Sequence, residues 1–173
     1  MLYIEQPAGV GYSYCEGVKD CTFDDHTSGK DNLKVVLQWF EKFPEYKSND
    51  LYISGESYAG VYVPYLTHYI HKHNQEAGDD EFKPNLKGFA VGNGVTNWKL
   101  DCTPAQLDMS YWHSLMDQEM HEKFEALDCD WHMPTMIGVT DECMDLLSEF
   151  ETVVQEINVY DIFGVCWGAG PYP

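Results

Sequence analysis

The ten residues Leu51–Gly60, L-Y-I-S-G-E-S-Y-A-G, dictate how the chain around them must run. Leu51-Tyr52-Ile53 reads as a short apolar strand ending at Ser54-Gly55, and the stretch after Ser57 reads as a helix. Ser57 stands between them, with Gly55 two residues before it, Ala59 two after and Gly60 three after. A strand that turns abruptly into a helix brings its two arms close together, so bulky side chains are excluded beside the turn. A serine at the apex stands clear of the backbone, where a base can take its proton and its oxygen can attack. The pattern departs from G-x-S-x-G in one respect: Ala59 fills the second glycine position and the glycine falls one later. The plainer alternative is a buried serine in an ordinary strand-to-helix turn. The legible strand before and helix after favour an exposed nucleophile.

The flanking pattern extends the same scheme. Leu2-Tyr3-Ile4 reads as a buried strand, stopped by Pro7 and a turn at Gly9 and Gly11. A polar loop, Tyr12–Asp25, leads into a helix from about Thr27 to Phe43, in which Leu33, Val36, Leu37 and Phe40 recur at helical spacing. Asp25 or Thr27 is the expected cap and Pro44 the stop. Pro64, one turn into the next helix, predicts a restart or kink there. Gly78–Glu81 is a turn, and Gly88-Phe89-Ala90-Val91 a third strand ending in Gly92-Asn93-Gly94. Strands alternating with helices over short loops imply a parallel sheet of the α/β class. By the strand-end rule, Gly9–Gly11, Gly55–Gly60 and Gly92–Gly94 then share the rim where ligands bind. After Asn97 the pattern turns helical, over Pro104–Ala126 and Asp141–Gln155, with Val159-Tyr160 the one further strand candidate. Two parts are expected: 1–98, a partial α/β core with the serine turn, and 99–173, a helical insertion capping the rim.

Charge narrows the function. The chain has ten lysines, no arginine, 29 acidic residues and a net charge of −19. That excludes nucleic-acid binding, which needs clustered cations, and attachment to anionic membranes. Such acidity suits an acidic compartment, where self-repulsion falls, and equally suits a merely soluble surface. Without arginine, a substrate carboxylate must be met by backbone N–H groups or a protonated carboxyl. Six scattered cysteines (15, 21, 102, 129, 143 and 166) lack the C-x-x-C spacing of zinc or redox sites. Their even number points to disulfides and an oxidising compartment; six cysteines allow fifteen pairings, and Cys15 with Cys21 is one that could close the loop as a small ring. There is no apolar run of membrane-spanning length. Nor does a signal-peptide pattern follow Met1, as expected of a chain that has lost its beginning.

Other polar clusters have simpler readings. His68, His71 and His73 lie on the helix after Ser57 and point away from the turn; His68 and His71 share a face, which reads as solvated surface rather than a metal site. Asp24-Asp25-His26 resembles a metal or base cluster but precedes a helix, where aspartate caps. The Met and aromatic stripe in 109–124 reads as packing. No metal and no cofactor are expected.

The stretches L-Y-I-E-Q-P-A-G-V-G-Y-S-Y, F-P-E-Y-K-S-N-D-L-Y-I-S-G-E-S-Y-A-G-V-Y-V-P and G-F-A-V-G-N-G-V-T-N resemble the serine carboxypeptidases, peptidase family S10. Y-W-H-S-L-M-D-Q-E-M and I-N-V-Y-D-I-F-G-V-C are similar to that family's helical insertion. The resemblance implies an α/β-hydrolase fold, a secretory-pathway location in the lysosome, vacuole or extracellular space, and substrates that are peptide or protein C-termini. It implies that Ser57 is the nucleophile and the backbone N–H of Tyr58 an oxyanion donor. Glu56 matches a carboxyl that, when protonated, hydrogen-bonds the substrate's C-terminal carboxylate, favouring acidic pH. Cys129 and Cys143 resemble a disulfide pair, and Cys166 resembles a cysteine whose family partner lies further downstream. The family's glycine-glycine loop lies upstream of the matched segment and its catalytic Asp and His downstream. The chain therefore resembles an internal fragment holding one triad member. His113, His121 and His132 match no family motif. A non-catalytic binding paralogue and an acyltransferase using the same serine are the alternatives.

Overall fold

A computed structural model describes residues 1–17, 22–131, 136 and 138–164. The chain divides into two compact units, Met1–Thr96 and Asn97–Pro173.

The first unit is built on one strand–helix–strand crossover. Helix α1 spans Asp25–Lys42, strand β1 Leu51–Glu56, helix α2 Ala59–Glu76 and strand β2 Leu86–Gly92. β1 and β2 pair in parallel, so the chain must cross from the end of one to the start of the other; α2 makes that crossing and packs on both strands and on α1. The core is Val36 and Phe40 of α1 with Leu66 and Ile70 of α2, joined by the part-buried Leu51, Ile53 and Leu86 from the strands. Buried positions on α1 fall at Ser28, Gly29, Asn32, Val36 and Phe40, one helical stripe. Its first members are small because α2 crosses there: a Cβ on Gly29 would lie 2.9 Å from the Tyr69 ring and 3.1 Å from the Tyr65 Cβ.

Local chemistry corrects three sequence expectations in this unit. The cap of α1 is Asp24, not Asp25 or Thr27. Extended backbone at Asp24 lets its carboxylate accept from the Thr27 N–H at 2.7 Å, while the Thr27 hydroxyl accepts from the Asp24 N–H at 2.8 Å. Thr27 thus fills the third helical position of a reciprocal capping box. Second, α2 runs unbroken through Pro64. The proline removes one intrahelical N–H, and the buried Val63, Leu66 and Ile70 around it keep the helix seated. Third, Leu2-Tyr3-Ile4 forms no strand. Ile4 packs against the core, but the sheet of the described residues has two strands and this segment joins neither. The stop at Pro44 and the turn at Gly78–Glu81, closed by Glu81 N–H donating to Gly78 at 3.3 Å, are as expected.

The second unit is helical: α3 Thr103–Trp112, α4 Gln118–Leu127 and α5 Asp141–Val154. One continuous helix over Pro104–Ala126 is not formed. Ser114 takes a left-handed backbone (φ 60°), and Asp117 caps a new helix by accepting from the Met120 N–H at 2.8 Å. The core gathers Leu107, Met120, Phe124, Trp131, Leu146 and Phe150. Cys129 and Cys143 are disulfide-bonded, linking the segment after α4 to the first turn of α5. Val159 and Tyr160 belong to a turn closed by Asp161 N–H on Asn158, not a strand. Cys15 is disulfide-bonded, while its expected partner Cys21, together with Cys166 and His132, lies outside the described residues. Among the described residues no helix is long and apolar enough to cross a membrane.

Candidate active site

Ser57 sits at the junction of β1 and α2 with φ 61°, a left-handed conformation that side chains other than glycine adopt rarely. Backbone bonds hold it there from both sides. Its N–H donates to the Gly92 carbonyl at 3.1 Å, and its own carbonyl accepts from Gly60 N–H at 2.9 Å and Val95 N–H at 3.0 Å. These bonds tie the ends of β1 and β2 into one rim. The loop at Gly9–Gly11 turns instead on Glu5, whose carboxylate accepts from the Tyr12 N–H.

The glycines of the motif answer specific neighbours. A Cβ on Gly55 would fall 2.4 Å from that of Ala59, and one on Gly60 would fall 2.1 Å from the Val95 carbonyl oxygen. The shifted glycine in G-E-S-Y-A-G therefore has a physical reason. The arm after β2 crosses over position 60, and the methyl at position 59 fits because position 55 has none. The side chain of Ser57 is exposed and makes no hydrogen bond among the described residues. Glu56, the last residue of β1, is also exposed. Tyr58 stands at the N-terminal cap of α2, and its hydroxyl donates to Asp25 Oδ2 at 3.3 Å. Burial, then the Asp25 charge, pushes the Tyr58 phenol above its ordinary value, and the same two causes raise Tyr62.

The Asp24-Asp25-His26 run comes apart into three roles. Asp24 caps α1, Asp25 faces Tyr58, and His26 lies between two phenols, Nε2 at 3.3 Å from Tyr65 and Nδ1 at 3.4 Å from Tyr69. His73 Nε2 meets the Phe82 carbonyl at 2.9 Å, and His68 and His71 are exposed. In the second unit His113 bonds the Met109 carbonyl, and His121 stacks on Tyr111. No group of three potential metal ligands occurs among the described residues. The tyrosine row Tyr58, Tyr62, Tyr65, Tyr69 on α2, with its partners on the first turn of α1, went unread in the sequence. Its helical spacing was the available signal.

A serine on a left-handed turn between a parallel strand and a helix has the backbone geometry of the strand-to-helix turn of the α/β-hydrolase fold. A structure search agrees on the fold. The crystal structure of Kex1(delta)p, a prohormone-processing carboxypeptidase from Saccharomyces cerevisiae, superimposes with a TM-score of 0.61 at 23% identity, over 87% of this chain and 35% of that one. The sequence profile of the family described as "Serine carboxypeptidase" matches residues 1–170. Serine carboxypeptidase 1 of Hordeum vulgare is 35% identical over 167 residues, covering 96% of this chain and 32% of its own length. Serine carboxypeptidase-like 34 of Arabidopsis thaliana is 35% identical over 164 residues, covering 94% and 32%. The chain belongs to the serine carboxypeptidase family, and it spans about a third of the length of these relatives.

Proposed function

We propose that this chain carries the nucleophile-bearing segment of a serine-type carboxypeptidase, with residues 99–173 as its helical insertion. The observation that carries the reading is the left-handed, exposed Ser57, held by backbone bonds from both strand ends. In this reading Ser57 Oγ attacks the carbonyl of the last peptide bond, a histidine base takes its proton, and water then hydrolyses the acyl-enzyme. The Tyr58 N–H, at the start of α2, stabilises the oxyanion. Glu56, next to the nucleophile, hydrogen-bonds the terminal carboxylate of the substrate, a role that a chain without arginine cannot give to a guanidinium. The histidine and aspartate of the triad are expected downstream of the insertion, in keeping with the absence of a histidine bonded to Ser57 among the described residues.

The test is a chimera in which residues 1–170 replace the aligned third of barley serine carboxypeptidase 1. The folded chimera is expected to release the last residue of a blocked dipeptide and to bind a fluorophosphonate at Ser57. Ser57→Ala should lower turnover by roughly 10⁴-fold or more. A folded chimera that is neither labelled nor active would overturn the assignment. Acyl transfer to alcohols outrunning hydrolysis would replace the peptidase reading with an acyltransferase one.

A further inference from the structure

The buried stripe of α1 changes character along its length. It begins with Ser28, Gly29 and Asn32 and continues with Val36 and Phe40, which pack in the core. Ser28 and Asn32 line a cavity of about 420 Å³ that residues 4–8 also wall. They are 6% and 7% exposed, yet each keeps an oxygen without a partner among the described residues. Asn32 Nδ2 donates to Gln6 Oε1 at 3.0 Å, which leaves its Oδ1 unused, and the Ser28 hydroxyl makes no hydrogen bond among these residues. The unpartnered side-chain oxygens sealed away from solvent are those of Thr67, Asn74 and Ser110, so the two on α1 open into the cavity.

The cavity carries charge of one sign. Glu5 and Asp31 line it, and no lysine or histidine among the described residues does. The Glu5 carboxylate accepts from the Tyr12 N–H but forms no ion pair among the described residues. Asp31 holds Lys34 at 2.9 Å, an exposed pair between helical neighbours and therefore a weak one. Ile4, Pro7 and Val35 supply apolar wall. Each feature rules out a class of occupant. An anion meets two carboxylates. A wholly apolar ligand strands the buried oxygens of Ser28 and Asn32. A bare metal ion fills only a small part of the space and leaves the apolar wall uncovered. An organic cation on a short apolar stem satisfies all three: its N–H groups donate to the oxygens, its charge faces the carboxylates and its stem lies on the wall. The volume falls within the range of about 300–1,000 Å³ usual for small-molecule sites.

We propose that this cavity binds a cationic amine or guanidinium carried on a short apolar stem, held by Glu5, Ser28, Asp31 and Asn32. That chemistry belongs equally to a free alkylamine and to a lysine or arginine side chain of a peptide. The spacing on α1 suits a built site, because positions 28, 31, 32 and 35 lie about one turn apart on one face and present hydroxyl, carboxylate, amide and methyl groups together. No residue of Leu51–Gly60 lines the cavity, so the proposal does not depend on the role given to Ser57. A cation drawn only by the overall charge of −19 would settle anywhere on the surface; selection for both charge and stem is what distinguishes the cavity.

The experiment titrates n-butylguanidinium into the isotopically labelled 173-residue chain and follows amide shifts by NMR. Saturable shifts are expected at Gln6, Ser28, Asp31 and Asn32. n-Butylurea, which keeps the shape without the charge, and guanidinium ion, which keeps the charge without the stem, should each bind about 10-fold or more weakly. Glu5→Gln retains an acceptor for the Tyr12 N–H while removing the charge, and Asp31→Asn alters an exposed helix position; each should weaken binding about 3- to 10-fold. Glu41→Gln removes the same charge from the last turn of α1, away from the cavity, and should leave binding unchanged. Asp31→Asn keeps the test decisive even if Glu5→Gln fails to fold. N-acetylarginine methylamide binding at least as tightly as n-butylguanidinium assigns the ligand to a peptide side chain, and binding of n-butylguanidinium alone assigns it to a free amine; either result sustains the site. Four results would each refute it. They are the absence of saturable, localised shifts, equal binding of n-butylurea, equal losses in Glu41→Gln and Asp31→Asn, or saturation by calcium chloride with none by n-butylguanidinium.

Discussion

Gly55 and Ala59 share one space across the turn that lifts Ser57: a Cβ on Gly55 would stand 2.4 Å from that of Ala59. The two positions are complementary, one bare and one carrying a methyl. Gly55→Ala alone is expected to cost about 1–3 kcal/mol through overpacking, with Val63 Cγ2 also only 3.1 Å away. Adding Ala59→Gly should return a large part of that loss, a coupling of about 0.5–3 kcal/mol in a double-mutant cycle measured by urea unfolding. Strict additivity of the two changes would show that the contact does not shape the turn.

Ser57 holds a left-handed backbone that an alanine resists and a glycine accepts. Ser57→Gly is therefore expected to be more stable than Ser57→Ala by on the order of 1 kcal/mol, after the glycine's larger loss of freedom on folding. Both variants lack the Ser57 hydroxyl, so the comparison isolates backbone strain from side-chain chemistry. Equal midpoints in urea would mean that the turn stores none.

The Asp24 carboxyl is held below its ordinary value of 3.8, first by the Thr27 backbone N–H and then by the Thr27 hydroxyl. A depressed folded-state pKa contributes stability above the unfolded value and loses it as pH falls toward the folded one. Helix α1 should accordingly weaken as pH drops below about 3.8, and Asp24→Asn, which still caps but does not titrate, should lose that component of the acid dependence. Circular dichroism melts of both proteins between neutral and strongly acidic pH check this. Parallel curves would remove the capping box as the source.

Much of this was legible because the signals were local. Alternating strand and helix patterns, the proline stop at Pro44 and the small residues around Ser57 each act over a few residues, and the fold follows them. Local reading failed where a distant partner decides. Leu2-Tyr3-Ile4 has the composition of a strand, but a strand exists only by pairing, and the edge it would need is across a groove from it. Pro64 has the chemistry of a breaker, yet burial of the residues beside it outweighs one lost hydrogen bond. The break at Ser114 had no glycine or proline to announce it. At the site, the serine and its glycines were readable, while the pairing of Asp25 with Tyr58 was not, because the two residues come from different helices.

The disulfide Cys129–Cys143 closes a loop with a sequence separation of 14, and Cys143 is buried in the helical core beside the first turn of α5. By the chain-entropy account such a loop is worth about 3 kcal/mol. That exceeds what the N-cap of α5 supplies, where the Thr140 hydroxyl accepts from the Cys143 N–H at 3.3 Å, or the exposed ion pair Lys123–Glu119 between helical neighbours. Lys99 and Lys123 are the only lysines in residues 97–173, so carboxylate repulsion in this unit goes largely unrelieved. Replacing both cysteines with alanine should therefore move the unfolding of α4 and α5 to markedly lower urea, and added salt should recover part of the loss by screening. Backbone amide NMR through the urea titration reads both effects. Unchanged midpoints in the double variant would assign the stability of this unit to the packing around Phe124 and Phe150 rather than to the crosslink.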